Sequence, residues 1–376
     1  MIGDYLSRKV RLAGIGGFLG SGKTTLILEI GKRIVSKLGK IVAIVTNDQG
    51  EVLVDTSLAK DYGFAVTEVV GGCFCCKFPD FVTHVQEMVR EVKPDVILAE
   101  PVGSCTDFLA TVYAPLRKYY EENFDLAPFT VLTDASTILT YFDKWHIISS
   151  PCTATGLLYF WQIKEGDILA INKVDLVSKE ELQKIEALLR SLNGEGEIIP
   201  VSAKTGYNID TLLKMLMEEE HRPRSTITEE VNYDAYASAE AELGWFNGVY
   251  RIHSDQPLRI DSLMRDLLTE INRRVKDCKG VVVHAKTRFS TRDGWAKASL
   301  VIFDESVDIT GVAPSPSKEM DVILNIRAAI DPVALTNIVK ASLESITSKL
   351  GARYGDWAAT SFRPGYPKPY YRLMHT

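Results

Sequence analysis

Gly17-Phe18-Leu19-Gly20-Ser21-Gly22-Lys23-Thr24 lies between an apolar run, Leu12 to Ile15, and a stretch whose apolar positions Leu26, Ile30 and Ile34 repeat with helical spacing. Gly-x4-Gly-Lys-Thr in a strand–loop–helix setting is a phosphate loop. Gly17, Gly20, Ser21 and Gly22 form a cradle in which successive backbone N–H groups can curl around phosphates. The helix that follows adds its partial positive charge. Lys23 is expected to reach the β- and γ-phosphates, and the Thr24 hydroxyl to take one Mg²⁺ position.

Working outward, Asn172-Lys173-Val174-Asp175 ends a second apolar run, Ile168 to Ile171. The Asp175 carboxylate can accept two hydrogen bonds from guanine N1 and N2, which adenine does not offer. Lys173 can lay its stem along the base. Ser202-Ala203-Lys204 follows the next run, where the Ala203 N–H can meet guanine O6. The three segments together specify GTP. Glu100 closes the run Val96 to Ala99, and a carboxylate at the end of a strand beside the phosphate-loop strand is where Mg²⁺ is held. Gly103 can offer its N–H to the γ-phosphate.

Short apolar runs alternate with helical periodicity up to about Glu220, which predicts an α/β domain with a mostly parallel sheet. The strands expected are Leu12 to Ile15, Ile41 to Thr46, Ala65 to Val70, Val96 to Ala99, Phe129 to Thr133, Ile168 to Ile171 and Ile198 to Val201, with a clear helix over Glu181 to Leu192. The pattern fails over 222–242, which reads as a linker. A smaller α+β domain is expected over 243–376. It has strands at Phe246 to Ile252, Val281 to Ala285, Trp295 to Phe303 and Val322 to Ile330, and a helix bearing Ile260, Leu263, Leu267 and Ile271. A last helix is capped by Asp331-Pro332 and ended by Gly351. The GTP-binding domain is thus expected over 1–221. Arg363 to Tyr371, rich in Pro and Tyr, reads either as a strap on its own domain or as a partner-docking tail.

The chain has 376 residues, 46% hydrophobic and 24% charged, with a net charge of −6. That balance suits a globular protein and argues against a basic nucleic-acid-binding surface. No window approaches the roughly 18 apolar residues that a membrane helix needs, and Met1 to Lys9 carries no apolar signal core. A cytoplasmic protein with no membrane or nucleic-acid partner is the expectation.

Three of the six cysteines are packed into Gly72-Cys73-Phe74-Cys75-Cys76, after the predicted strand Ala65 to Val70. A helix is expected just past Pro79, and thiolates near a helix N-terminus are stabilised. In an extended loop Cys73 and Cys75 point to one side, so Cys73, Cys75 and Cys76 form a soft transition-metal site. Cys105, Cys152 and Cys278 are isolated in the sequence and read as buried core residues; of these, Cys105 follows the Glu100 loop closely. The six histidines, His84, His146, His221, His253, His284 and His375, are scattered and read as ordinary surface or core residues.

With these motifs placed, the chain resembles the CobW-like GTPases, metal chaperones related to the nickel-insertion GTPases of hydrogenase and urease maturation. The family-like segments are Gly17 through Thr24 with Thr25, Gly72 through Cys76, Gln162-Ile163, and Asn172 through Val177. Asn47-Asp48-Gln49-Gly50-Glu51 with Asp55 matches the family's first switch region, which makes Asp48 a catalytic candidate alongside Lys23 and Glu100. The resemblance implies a slow, switch-type GTPase that uses GTP and Mg²⁺ and holds zinc, cobalt or nickel on cysteine thiolates. It implies delivery of that metal to a client metalloprotein or corrinoid system through the C-terminal domain, and allows a homodimer. The chain departs from the family at Glu100-Pro101-Val102-Gly103, which lacks two hydroxyl residues, at Asp48, where the family has Glu, and in having no His-rich stretch. The strands preceding the Cys73 and Glu100 loops are expected to be neighbours, so that hydrolysis would reach the cysteines. The alternatives are a GTP-dependent small-molecule kinase and a non-catalytic GTP-binding assembly scaffold.

Overall fold

The computed structural model describes residues 9–47, 54–145, 154–218, 223–224, 231–302, 306–311 and 315–374. Asp48 to Glu51, Cys152, His146, His221, His375 and part of 222–242 lie outside the described residues. Contacts divide the chain into two units. One comprises Met1–Gln49, Asp55–Tyr236 and Tyr366–Thr376, the other Gly50–Val54 and Ala237–Gly365.

The first unit alternates strand and helix: β1 (Val10–Gly17), α1 (Lys23–Leu38), β2 (Val42–Asn47), α2 (Val54–Asp61), β3 (Ala65–Val69), α3 (Phe78–Val92) and β4 (Val96–Glu100). A π-helical turn, Leu109–Tyr113, runs into α4 (Ala114–Tyr119), followed by β5 (Phe124–Leu126), β6 (Thr130–Asp134), α5 (Ile138–Trp145) and α6 (Ala154–Glu165). Then come β7 (Ile168–Asn172), α7 (Lys179–Leu192), β8 (Glu197–Pro200), α8 (Ile209–Met217) and α9 (Tyr233–Ala241). The sheet order is β3-β2-β4-β1-β6-β7-β8, with β5 beside β1. Every pairing in it is parallel. β1, β2, β4, β6 and β7 are buried at every position. This is why they read as continuous apolar runs rather than as alternating ones. α7 begins with a reciprocal capping box between Ser178 and Glu181, which fixes its start.

Two expectations change here. β4 does lie beside β1, as the Glu100 argument needs, but β2 separates β3 from β4. The Cys73 and Glu100 loops therefore follow strands that are not neighbours. The stretch 222–242, expected to be an irregular linker, contains α9; a short Ala-rich helix with two aromatic residues on it gives little amphipathic signal to read.

In the second unit β9 (Gly244–Leu258), α10 (Ile260–Asp277), β10 (Val281–Thr291), β11 (Gly294–Val301), β12 (Asp308–Gly311), β13 (Ser317–Ala329), α11 (Pro332–Lys349) and β14 (Ala352–Phe362) follow in order. They build an antiparallel sheet ordered β12-β11-β10-β13-β9-β14. The apolar stripes of α10 and α11, including Leu263, Leu267, Ile271, Leu335 and Leu343, share one core with Phe246, Ile252, Leu324 and Ile326 of the strands. Asp331 caps α11 by accepting the Val333 and Ala334 N–H groups. β14 had no sequence signal: it is an edge strand, half exposed along its length, so it need not alternate. No described helix is long and apolar enough to cross a membrane.

Candidate functional site

The nucleotide half of the site is built where β1 turns into α1. Gly22 is the N-cap of α1 with φ of 96°, and the helix has no side-chain cap and no acidic residue in its first turn. Its first N–H groups therefore have no acidic or capping side chain of the helix's own to answer them, a setting suited to a phosphate. A side chain at Gly22 would be strained in that backbone and would place its Cβ 2.4 Å from Asn172 Nδ2. The Lys23 ammonium folds back onto the loop and donates to the carbonyls of Gly17 at 2.8 Å and Phe18 at 3.1 Å. Thr25, by contrast, is exposed on α1.

Thr24 Oγ1 donates to Glu100 Oε1 at 2.9 Å, and both side chains are buried. A hydroxyl and a carboxylate side by side under a phosphate loop are hard oxygen donors, which suits Mg²⁺ and fits the sequence expectation. Gly103 packs against Leu19 and Lys23: a Cβ there would sit 2.6 Å from Leu19 Cδ2 and 3.3 Å from the Lys23 ammonium nitrogen, so a larger residue would have to displace the Leu19 side chain. Gln162 Nε2 holds the loop in place by donating to the carbonyls of Gly103 and Cys105 at 3.0 and 2.9 Å.

At the base-recognition end, Asn172 acts as a staple. Its Nδ2 donates to the Ser21 carbonyl at 2.8 Å, and its Oδ1 accepts the Ala203 N–H at 2.9 Å. It thus ties the phosphate loop to the segment after β8, and the Ala203 N–H expected to face guanine O6 is engaged by Asn172. Ser202 builds its own turn, its hydroxyl accepting the Thr205 N–H at 3.2 Å. Lys173 is left-handed at φ 65° and pairs with the buried Asp134 at 2.5 Å. Asp134 was not singled out from sequence; its one signal is its place at the end of β6, next to β7. Asp175 is exposed, on the 3-10 turn that follows.

The cysteine half follows β3. Cys73, Cys75 and Cys76 hold their sulfurs within 4.8 Å of one another and form the one such group of potential metal ligands among the described residues. Cys73 and Cys75 sulfurs are 2.6 Å apart, Cys75 and Cys76 3.9 Å. Hydrogen bonds from Cys73 and Cys75, then the Lys368 N–H and the charge of Lys77, pull the Cys76 thiol down to about 3. The other two thiols are pushed up, Cys73 first by its hydrogen bonds to Cys75 and Cys76 and Cys75 first by its bond to Cys105. One thiolate held by neighbouring thiols and a backbone N–H is a nucleophilic, soft ligand ready for a metal ion.

Asn47, the last residue of β2, ties this loop down. Its Nδ2 donates to the Val69 and Gly72 carbonyls at 2.9 and 2.8 Å, and its Oδ1 accepts the Phe74 N–H at 2.8 Å. The cysteine loop is thus tied to the end of β2, the strand that separates β3 from β4. Of the isolated cysteines, Cys278 is exposed at the end of α10, against expectation, whereas Cys105 is buried as expected, with its thiol hydrogen-bonded to Cys75. The tail also lands here. The Tyr370 N–H donates to the Cys75 carbonyl at 2.8 Å, the Lys368 N–H to Cys76 Sγ at 3.2 Å, and Arg372 pairs with the buried Asp107 at 2.6 Å. It is a strap on the nucleotide-binding unit, not on the C-terminal domain whose last strand it follows.

The sequence model of the "CobW/HypB/UreG, nucleotide-binding domain" matches residues 11–200. A zinc-regulated GTPase metalloprotein activator 1 of Dictyostelium discoideum is 26% identical over 219 residues, 51% of this chain and 45% of its own. The zinc chaperone YeiR of Escherichia coli is 30% identical over 189 residues, 49% of this chain and 53% of its own. The chain therefore spans about half the length of these curated relatives. Among solved structures, the nickel complex of HypB from Helicobacter pylori aligns over 59% of this chain and 92% of its own, at 16% identity and a TM-score of 0.42. Zinc-bound YjiA GTPase of E. coli aligns over 90% and 99%, at 13% identity and a TM-score of 0.34.

Proposed function

From its membership of the CobW/HypB/UreG family of nucleotide-binding proteins, to which this chain belongs, we propose that it is a GTP-hydrolysing metallochaperone. Its cargo is a transition metal, zinc in the first instance, carried on Cys73, Cys75 and Cys76 and delivered to a client metalloprotein. The C-terminal α+β unit is the surface offered to that client. The observation that carries the reading is the convergence of three sulfurs within 4.8 Å of one another on a loop stapled to Asn47, the first residue of the segment that resembles the family's switch region. The names of the Dictyostelium and E. coli relatives favour zinc over cobalt or nickel.

In this reading Lys23 exchanges its two loop carbonyls for the β- and γ-phosphates and neutralises charge as it moves to the leaving side. Thr24 and Glu100 hold Mg²⁺, which supplies electrostatic stabilisation of the phosphate charge. Gly103, against Lys23, offers its N–H to the γ-phosphate; Asp175 reads guanine. Loss of the γ-phosphate frees the Gly103 loop, which leads on to Cys105 beside Cys75. The test is zinc affinity of the purified full chain with GTP and with GDP, alongside phosphate release. A difference in affinity between the two states, abolished in Cys75→Ala, is expected. Equal affinities in both states, or unchanged zinc binding by Cys75→Ala, would overturn it.

A further inference from the structure

Cys105 sits in the loop that runs from Glu100, past Gly103, to the helical turn at Phe108. Its side chain is buried, and its thiol lies within hydrogen-bonding reach of Cys75. It falls outside the compact trio, and its hydrogen bond with Cys75 joins it to them. The Cys105 backbone is not free to wander, because Gln162 holds its carbonyl and that of Gly103 from inside the unit. Two residues on, Asp107 is anchored by Arg372 at 2.6 Å and by the Tyr233 hydroxyl at 2.7 Å. The loop is thus pinned on both sides of the thiol and presents it to Cys75.

We propose that Cys105 is a fourth thiolate ligand of the metal carried by Cys73, Cys75 and Cys76, supplied by the loop that carries Glu100 and Gly103. The proposal rests on the metallochaperone reading and adds to it. Three cysteines of one loop leave a coordination position open, whereas four thiolates close a tetrahedral site and favour zinc. At a Zn–S distance of about 2.3 Å, a tetrahedral site needs sulfur–sulfur edges of roughly 3.8 Å. Cys75–Cys76, at 3.9 Å, already has that edge, and Cys73–Cys75, at 2.6 Å, must open by roughly 1 Å. Cys105 adjoins Cys75 but lies outside the set of sulfurs within 4.8 Å of one another, so its side chain must draw in toward the other two to take the fourth vertex. Binding converts the Cys105 thiol to a thiolate, the zinc–sulfur bond forms, and the proton passes to solvent. Because this ligand rides on the loop that packs against Lys23, movement of that loop would open or close the metal's fourth position.

Zinc K-edge X-ray absorption of the nucleotide-free full chain, loaded with one equivalent of Zn(II), counts the sulfurs directly. Four sulfurs at about 2.3 Å are expected in the wild type, and three sulfurs with one oxygen or nitrogen in Cys105→Ser. Chelator competition should show zinc held at least about tenfold more weakly by that variant. The chain has six cysteines, so the double variant Cys152→Ser, Cys278→Ser leaves only Cys105 to complete the set. Four sulfurs retained there support the assignment without altering Cys105, should Cys105→Ser fail to fold. A wild-type shell of three sulfurs and one light atom, or four sulfurs in Cys105→Ser, overturns the role of Cys105 and leaves the metallochaperone reading standing. A wild type that holds no sulfur-bound zinc overturns both.

Discussion

The two loops of the first unit solve different problems and are wired differently. The phosphate loop is largely local: Gly22, the bare N-terminus of α1 and Lys23 lie within a few residues, and Asn172, Glu100 and Gly103 join them from elsewhere. The cysteine loop borrows from most of the unit. Asn47 of β2 staples it, Cys105 adjoins it from beyond β4, and Lys368 and Tyr370 reach it from the end of the chain. A phosphate loop cradles the same phosphate oxygens before and after the terminal phosphate is lost, so local backbone suffices for most of its work. A loop that takes up and gives away a soft ion needs its ligands held by segments that can move separately.

The largest expected effect separates the two. Lys23→Ala removes a preorganised cation from the phosphate charge and should lower GTP hydrolysis about 10²–10³-fold. Zinc stoichiometry should be unchanged. Phosphate release and metal analysis on the same sample check it. Parallel loss of zinc would mean that the loops are one site and the contrast is wrong.

Base selection comes next. Asp175→Asn replaces a double acceptor by a group that clashes donor to donor with guanine, and should cut the preference for GTP over ATP about 100-fold in a competition assay. An unchanged preference would assign guanine recognition elsewhere, leaving Asn172 and Lys173, stapled to Ser21, Ala203 and Asp134, as purely architectural.

Asn47→Ala probes the other side. It strips one acceptor and two donors from a buried turn and should destabilise the unit by about 2 kcal/mol. More tellingly, the difference in zinc affinity between GTP- and GDP-bound protein should shrink, while hydrolysis without zinc changes little. A variant that keeps the nucleotide dependence would move the coupling to the Gly103–Cys105 loop. Arg372→Met should cost somewhat less, about 1–2 kcal/mol, because Asp107 is left charged at 2% exposure while the arginine is itself 27% exposed. Thermal melts measure it. Zinc release should quicken as the strap loosens from Cys75 and Cys76; an unaltered release rate would make the strap a structural fastening alone.

The same contrast governs what the sequence disclosed. Gly17 to Thr24, Glu100 and Asn172 to Asp175 were legible because their chemistry is written in consecutive residues at the ends of fully buried strands. Cys73 to Cys76 was legible for the same reason. The role of Asn47 was not, since an asparagine that staples a distant loop leaves no local pattern, and the contact of Cys105 with Cys75 depends on where the sheet order puts two loops. That order misled in one place: β2 separates β3 from β4, and no strand sequence encodes its neighbour. The tail's prolines and tyrosines, with Pro364 and Pro367 buried and Tyr366 and Tyr370 exposed, likewise say nothing in sequence of the surface on which they close.

The smallest effect concerns the floor of the Cys105 loop. Glu165, at the end of α6, is buried and accepts the Phe108 and Leu109 N–H groups at 2.6 and 3.4 Å, capping from a distance the helical turn that follows Asp107. Burial first, and the nearby Asp107 second, push its carboxyl well above the ordinary 4.5. In the folded protein it therefore keeps a proton that the unfolded chain has released. Between the ordinary glutamate range and the raised value, the unfolded state binds fewer protons, so stability falls as pH rises. Glu165→Gln keeps the acceptor oxygen for both N–H groups and has no proton to lose. The variant should match the wild type near pH 5 and exceed it by about 1 kcal/mol near pH 8 in denaturant titrations. Parallel stability profiles for the two proteins would show that Glu165 is ionised in the fold. The cysteine-side loop would then rest on a buried charge, and the difference between it and the largely local phosphate loop would be larger still.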